Sequence, residues 1–197
     1  MSNSNRPQKG DCIKVEPIRD SRSIRNIKKL LADKPRDLCI FTLGCNSALR
    51  ASDLVRITVG QVRYIEPGQH FSIREKKTRK LKSITVNKTV HEAIQGLLKT
   101  LPEAEDTYPL FQSRKGRHPL CVPYMNHLVK AWCRLVGLRG NYGSHTLRKT
   151  FGFQHRTQFN TDIPTLMTMF NHSTQKQTLA YLGIQPSEII DAYLKEI

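Results

Sequence analysis

Two segments in the second half of the chain carry residue types that phosphoryl transfer uses. In SHTLRKTF, His145 and Arg148 are three positions apart, so they face the same side at the start of a helix. In FNHSTQKQTLAYLGI, Tyr181 follows His172 by nine positions. Arginine suits a phosphate clamp because its planar fork stays charged, histidine can move a proton, and tyrosine can act as a nucleophile.

Two basic segments lie further upstream. SALRASDLVRI places Arg50 just before a short predicted helix, for which Ser52 is the expected N-cap. REKKTRKLKSITV predicts a β-hairpin whose cationic tip includes Lys76, Lys77 and Lys80. Each segment alone is compatible with solvated surface charge. Together the four segments supply cations, a proton donor, a proton acceptor and a nucleophile, which are the groups that phosphodiester transfer needs.

The four segments resemble the sequence boxes of the tyrosine recombinase (phage integrase) family, in the family order and at similar spacing. SHTLRKTF resembles the H-x-L-R-h-T box, FNHS the L-G-H-S box, ALRASDL the G-L-R-x-S-E-L box, and the hairpin the strand pair with the catalytic lysine. The resemblance departs at Ala48 and Asn171, where glycine is usual. Asparagine tolerates left-handed dihedral angles, so we expect the turn at Asn171 to survive.

The resemblance implies that four residues bind or activate the scissile phosphate. Arg50 and Arg148 would clamp it, and His172 would donate a hydrogen bond to it. His145 would be the general base or a further hydrogen-bond donor. These roles are carried over from the family boxes, residue by residue, and not from the spacing alone.

The resemblance also implies which groups make and break bonds. Tyr181 would form a 3′-phosphotyrosyl link to the DNA. Lys77 would be the general acid for the 5′ oxygen; it is preferred over the other lysines of the hairpin tip because Thr78 follows it. Asp53 fills the position of the family's supporting acidic residue and would orient the arginine or its neighbours.

The composition predicts a polyanionic partner. Lys and Arg outnumber Asp and Glu by 32 to 16, which gives a net charge of +16 and favours DNA because phosphate counterions are released on binding. We expect double-stranded DNA as the partner and self-association on DNA, with no membrane, small-molecule substrate, metal or other cofactor. The predicted DNA-binding residues outside the catalytic set are Lys76, Arg79, Lys80, Lys82 and Lys149.

The hydrophobic pattern predicts a mainly α-helical chain with a small antiparallel β-sheet, an α+β class. The resemblance implies the tyrosine recombinase catalytic-domain fold. We expect residues 1–18 to be a flexible basic lead-in and residues 19–197 to be one catalytic domain without a separate core-binding domain, as in the fimbrial-switch invertases. The last helix, over about residues 187–196, is expected to pack in the core; docking on a neighbouring subunit is the alternative that the resemblance implies.

The function that these features predict is site-specific DNA recombination or integration by a metal-independent strand transferase of the mobile-element type. The chain shows neither an apolar signal segment nor a membrane-length apolar run, so the expected localisation is cytoplasmic, at the nucleoid. Two alternatives remain open: a catalytically silent DNA-binding regulator on the same fold, and an activity like that of type IB topoisomerases.

Overall fold

The computed structural model describes residues 15–113, 116–184 and 186–196. Within them the chain forms ten α-helices and one β-hairpin, which confirms the predicted class, and none of these helices is long and apolar enough to cross a membrane. The elements are α1 (Ser21–Leu30), α2 (Pro35–Asn46), α3 (Ala51–Leu54), α4 (Val59–Val62), β1 (His70–Arg74), β2 (Leu81–Thr85), α5 (Lys88–Leu98), α6 (Val122–Leu135), α7 (Ser144–Gln158), α8 (Ile163–Phe170), α9 (Gln175–Leu182) and α10 (Pro186–Tyr193).

The hairpin forms because buried and exposed positions alternate on both strands. β1 pairs antiparallel with β2, and the buried Phe71 lies opposite the buried Ile84. Successive side chains of a strand point to opposite faces, so one face enters the core and the other meets solvent. Residues 75–80 connect the strands and form the basic tip that the sequence predicts.

Side-chain caps set some helix ends and not others. The Asn87 side chain accepts a hydrogen bond from the Val90 amide at 2.9 Å and caps the start of α5. The predicted N-cap role of Ser52 is wrong. Arg50 is the N-cap of α3, and its carbonyl accepts hydrogen bonds from the amides three and four residues further on.

α2 is the central helix and packs on α5 and α7. Its residues 39–44 are all buried. Gly44 allows the close approach of α7, because a Cβ atom there would lie 2.5 Å from Leu147 Cδ1. Arg50 follows α2 closely in the chain and α7 carries Arg148, so this helix contact brings the two segments that bear the arginines together.

A smaller apolar cluster joins α7, α8 and α9 beneath the candidate site. Tyr181 packs against it from α9. The cluster is separate from the main core, and it positions the segment that carries the candidate nucleophile. Its buried members are Ala48, Phe151, Leu166, Phe170 and Leu182.

Residues 15–18, ahead of α1, are packed where a flexible lead-in was predicted. Residues 1–14 lie outside the described residues. Ile18 is fully buried, and its amide donates a hydrogen bond to Thr150 Oγ1 at 2.8 Å. The Gln154 side chain donates to the Ile18 carbonyl at 3.1 Å. The prediction is therefore wrong for residues 15–18, because Ile18 fills a core position against α7.

The apolar side chains of α10 that the structure describes do not pack into the core as predicted. Ile190, Tyr193 and Leu194 are 59%, 87% and 74% exposed. The side chains of residues 186–189 and residue 197 lie outside the described part of the chain. An apolar surface on a terminal helix remains available to a partner, which is the alternative that the resemblance implies.

Candidate active site

Arg148 is buried at the centre of the candidate site. Its Nη1 donates a hydrogen bond to the Ala48 carbonyl, and its Nη2 donates to the Phe170 carbonyl at 2.8 Å and lies 3.0 Å from His172 Nε2. Burial, together with the nearby charge of Arg50, lowers the pKa of Arg148 to about 10, so the side chain stays charged at neutral pH. Among the described residues Arg148 Nε is buried and has no hydrogen-bond partner.

The Ala48 carbonyl is a hydrogen-bond acceptor that two basic side chains share. It accepts hydrogen bonds from Arg148 and from Lys82 Nζ, the latter at 2.8 Å. Ala48 has a φ of 50°, in the left-handed region that favours glycine. This conformation gives a physical reason for the glycine that is usual at this position in the family box.

His172 lies in the turn between α8 and α9. Asn171 ends α8 with left-handed dihedral angles, φ 57° and ψ 39°, so the turn forms without glycine, as predicted. Phe170 stacks on the imidazole with ring centroids 5.0 Å apart. Burial, followed by the charge of Arg148, lowers the pKa of His172 to about 4, and the ring is therefore neutral at neutral pH.

Tyr181 lies on α9 beside both Arg148 and His172. Its ring centroid is 5.4 Å from that of His172 and 5.3 Å from Arg148 Cζ. The ring is half-buried against Phe170, at a centroid distance of 5.4 Å. The structure thus brings together the predicted nucleophile and two of the predicted phosphate ligands.

Arg50 is held by a residue that the sequence analysis did not single out. Its Nη1 donates to Glu75 Oε1 at 2.6 Å, and the Glu75 carboxylate is completely buried. Glu75 Oε2 also accepts from Thr78 Oγ1 at 2.5 Å and from Asn171 Nδ2 at 3.3 Å. A signal was present in the sequence, since Glu75 continues the inward-facing alternation of Phe71 and Ile73.

Asp53 supports the hairpin more directly than it supports Arg50. Its Oδ1 accepts a hydrogen bond from the Lys76 amide at 2.8 Å and lies 3.9 Å from Arg56 Nη1. The carboxylate is fully buried in α3. It therefore anchors the start of the hairpin tip, while Glu75 contacts the arginine.

Four of the predicted DNA-binding or acid-donating cations are exposed at the hairpin tip. They surround the turn in which Arg79 takes a left-handed φ of 60°. The charge of Lys77 is close enough to His145 to lower the pKa of that histidine. These exposed residues are Lys76, Lys77, Arg79 and Lys80.

Lys82 lies in the interior and not on the surface, where its predicted role in DNA binding would place it. The side chain is only 7% exposed and is bonded to the Ala48 carbonyl, because position 82 falls on the inward face of β2. Burial, followed by the charge of Arg148, lowers the pKa of Lys82 to about 7. The strand alternation, which the basic composition of the segment obscures, makes it an interior residue instead of a surface contact.

His145 and Lys149 flank the buried arginine on α7. His145 is solvent-accessible in the first turn, and its pKa is lowered by partial burial of the ring and then by the charges of Arg148 and Arg50. Lys149 Nζ lies 6.0 Å from the Tyr181 ring centroid. All six predicted catalytic residues thus lie in one electrostatically connected region. The described residues contain no group of three His, Cys, Asp or Glu that could hold a metal ion.

Comparison with known proteins places this chain in a family. The chain belongs to the phage integrase family, whose model matches residues 20–188. It is 34% identical over 180 residues to the probable integrase/recombinase YoeC of Bacillus subtilis strain 168, an alignment that covers 91% of this chain and 95% of YoeC.

Solved structures give the same fold. The XerA recombinase superposes with a TM-score of 0.75 at 14% identity, covering 96% of this chain and 68% of XerA. The XerH site-specific recombinase, in a post-cleavage complex with a palindromic difH substrate, gives a TM-score of 0.74 at 16% identity and covers 96% of this chain and 55% of XerH. The fold is that of tyrosine recombinase catalytic domains.

Proposed function

We propose that this tyrosine recombinase cuts and rejoins double-stranded DNA at specific sites, with Tyr181 as its nucleophile. The observation that carries the proposal is the grouping of Tyr181 with Arg148 and His172, at 5.3 and 5.4 Å. An arginine that approaches a tyrosine this closely can hold a phosphate next to the phenol oxygen. The family of the chain and its net charge of +16 support the same substrate.

In the proposed cleavage step, Tyr181 Oη attacks the scissile phosphorus and the bond to the 5′ oxygen breaks. The phenol proton passes to His145, whose lowered pKa keeps it neutral and able to accept. Lys77 gives a proton to the departing 5′ oxygen. The products are a 3′-phosphotyrosyl link and a free 5′-hydroxyl. Attack by the 5′-hydroxyl of another strand reverses these steps and rejoins the DNA.

The phosphate clamp of the proposal consists of Arg50, Arg148 and His172. Arg148 Nε lacks a hydrogen-bond partner among the described residues. The Arg50 side chain is 14% exposed, so part of the Arg50 guanidinium can reach a ligand. Fixed donors around the non-bridging oxygens stabilise the extra charge of the pentavalent transition state. Asp53 supports the clamp through the backbone of the hairpin tip.

The proposal extends to the state of the protein on DNA. Exchange of strands requires more than one cutting subunit on the DNA, so we propose self-association there, with residues 19–197 acting as one catalytic domain on nucleoid DNA. The exposed apolar residues of α10 supply a surface for a neighbouring subunit.

A suicide substrate tests the proposal. A nick just beyond the scissile phosphate lets a short fragment diffuse away, which traps the covalent protein–DNA adduct. Tyr181→Phe should abolish the adduct and keep DNA binding, while Tyr193→Phe, on the exposed end of α10, should form it normally. The reaction is run in EDTA, because the proposed groups need no metal. An adduct in Tyr181→Phe, or none in the unaltered protein on its cognate site, contradicts the proposal.

A further inference from the structure

Glu75 joins three parts of the site that are far apart in the chain. The carboxylate follows β1 directly and is completely buried. Its Oε1 accepts from Arg50 at 2.6 Å, and its Oε2 accepts from Thr78 at 2.5 Å and from Asn171 at 3.3 Å. The three donors belong to the α2–α3 segment, the hairpin tip and the α8–α9 turn.

Each of these donors is, or directly adjoins, a residue of the proposed mechanism. Arg50 is one arm of the phosphate clamp, Thr78 follows the proposed acid Lys77, and Asn171 precedes His172. Hydrogen bonds to an ionised carboxylate are about twice as strong as those between neutral groups, and they are directional. All three segments bind the same carboxylate. A displacement of any one of them therefore disturbs the group that holds the other two.

The Glu75 carboxylate is neutralised by the Arg50 guanidinium, and the ion pair uses only part of that guanidinium. A buried carboxylate without a counter-charge would be costly, and the Arg50 guanidinium supplies that charge. Only one nitrogen of Arg50 is engaged in the ion pair, and its side chain remains 14% exposed. Arg50 can therefore keep its bond to Glu75 while its remaining donors bind a phosphate.

We propose that Glu75 is a positioning residue of the strand-transfer reaction. It holds the Arg50 arm of the clamp, the turn that carries Lys77 and the turn that carries His172 in the one arrangement that suits a bound phosphate. This inference rests on the proposed function, because it assigns to Glu75 the placement of groups that the cleavage step uses.

The first experiment compares Glu75→Gln with Glu66→Gln. Both remove one negative charge, but Glu66 lies on the surface near His91. We expect both variants to show a cooperative thermal unfolding transition and to bind cognate DNA equally well. At saturating DNA, the single-turnover rate of adduct formation should fall about 100-fold in Glu75→Gln only, because small misplacements of catalytic groups have effects of this size. A general loss of structure would weaken binding and melting as well.

A second pair of variants, at Thr78, tests the inference even if Glu75→Gln does not fold. Thr78→Ser keeps the hydroxyl that donates to Glu75, and Thr78→Val removes it at nearly constant shape. Valine should slow cleavage about tenfold, the size expected for one hydrogen bond, and serine should not. On a substrate with sulfur in place of the 5′ leaving oxygen, which departs without a proton, the two variants should react at the same rate, because the Thr78 arm acts through Lys77.

The outcomes that overturn the inference are separate from those that overturn the proposed function. If the unaltered protein forms the Tyr181 adduct and Glu75→Gln forms it as fast as Glu66→Gln, Glu75 does not position the site. Equal rates for Thr78→Val and Thr78→Ser, or a valine defect that persists with the sulfur substrate, overturn it too. If the unaltered protein forms no adduct through Tyr181, the proposed function itself has failed.

Discussion

His172 accepts a hydrogen bond from Arg148, and this contact fixes the tautomer of the imidazole in the DNA-free protein. Arg148 Nη2 lies 3.0 Å from His172 Nε2, and arginine can only donate, so Nε2 is the acceptor. The proton is then on Nδ1, which donates to Thr178 Oγ1 at 3.1 Å. To donate to a phosphate through Nε2, the ring must change tautomer, and Nδ1 must then accept from Thr178. A hydroxyl suits both states because it can donate and accept.

The first prediction concerns Thr178, which is buried one helical turn before Tyr181. Thr178→Val removes the hydroxyl at nearly constant shape, so His172 Nδ1 loses its partner in both tautomers and the ring is no longer held in place for the phosphate. We expect the single-turnover rate of adduct formation to fall about tenfold, as for one lost hydrogen bond, and to be restored in Thr178→Ser. Equal rates in the valine and serine variants would show that the hydroxyl has no part in the reaction.

The second prediction is a pH dependence of stability that arises from His172. Its pKa is about 4 in the folded protein and about 6.5 in an unfolded chain, so between these values the unfolded state binds the extra proton. The stabilisation is present above about pH 6.5 and is lost as the pH falls towards 4. Thermal melts from about pH 7.5 to 4.5 should therefore show a smaller loss of stability in His172→Gln than in the unaltered protein. Parallel curves would contradict the assignment.

The third prediction tests the close contact between α2 and α7. Alanine at Gly44 would place a Cβ atom 2.5 Å from Leu147 Cδ1 and 3.1 Å from Leu147 Cβ, so the Leu147 side chain or the helix that carries it must shift. We expect Gly44→Ala to lower the free energy of unfolding by about 1–3 kcal/mol, as overpacking does. Adduct formation should also slow, because Arg50 follows α2 closely in the chain and α7 carries Arg148.

Gly96 provides the matched control. It lies exposed within α5, and a Cβ atom there would meet no atom within 4 Å. Gly96→Ala should therefore raise the free energy of unfolding by about 0.5–1 kcal/mol, because alanine loses less backbone freedom on entering a helix. Denaturant titrations of both variants check the pair. Changes of the same sign at Gly44 and Gly96 would argue against a tight helix contact.

The sequence predicts the elements of the fold well because each depends on local periodicity. The inward alternation of Phe71 and Ile73 gives the hairpin, and the side chain of Asn87 begins α5 as a capping residue should. The same alternation places Glu75 and Lys82 inside, yet a charged residue is normally expected in solvent. Their burial depends on partners from other segments, and such contacts are not readable from a local pattern.

The candidate site shows the same division between local and distant information. Motif spacing groups Arg148, His172 and Tyr181, and the structure places them together. Thr178 was missed, although it lies three positions before the predicted nucleophile. A threonine inside a helix has no distinguishing sequence pattern, and only the turn that brings His172 against it reveals a partner.

The fourth prediction concerns α10 and cooperative assembly on DNA. Ile190, Tyr193 and Leu194 are mainly exposed, so the free protein gains little stability from them. Deletion of residues 186–197 should leave the thermal melt almost unchanged. On DNA with two adjacent sites, the unaltered protein should bind cooperatively, because docking between neighbours adds to the phosphate contacts, and the truncated protein should bind each site independently.

A point variant separates the apolar surface of α10 from the length of the chain. Leu194→Glu places a charge on the exposed helix, and Leu135→Glu makes the same change at a leucine that is 65% exposed at the end of α6. Binding isotherms on paired and single sites should show lost cooperativity for Leu194→Glu alone, with single-site affinity equal in the two variants because their net charge is the same. If the truncated protein unfolds, α10 packs on its own subunit. If both leucine variants remain cooperative, the apolar surface of α10 does not link neighbours.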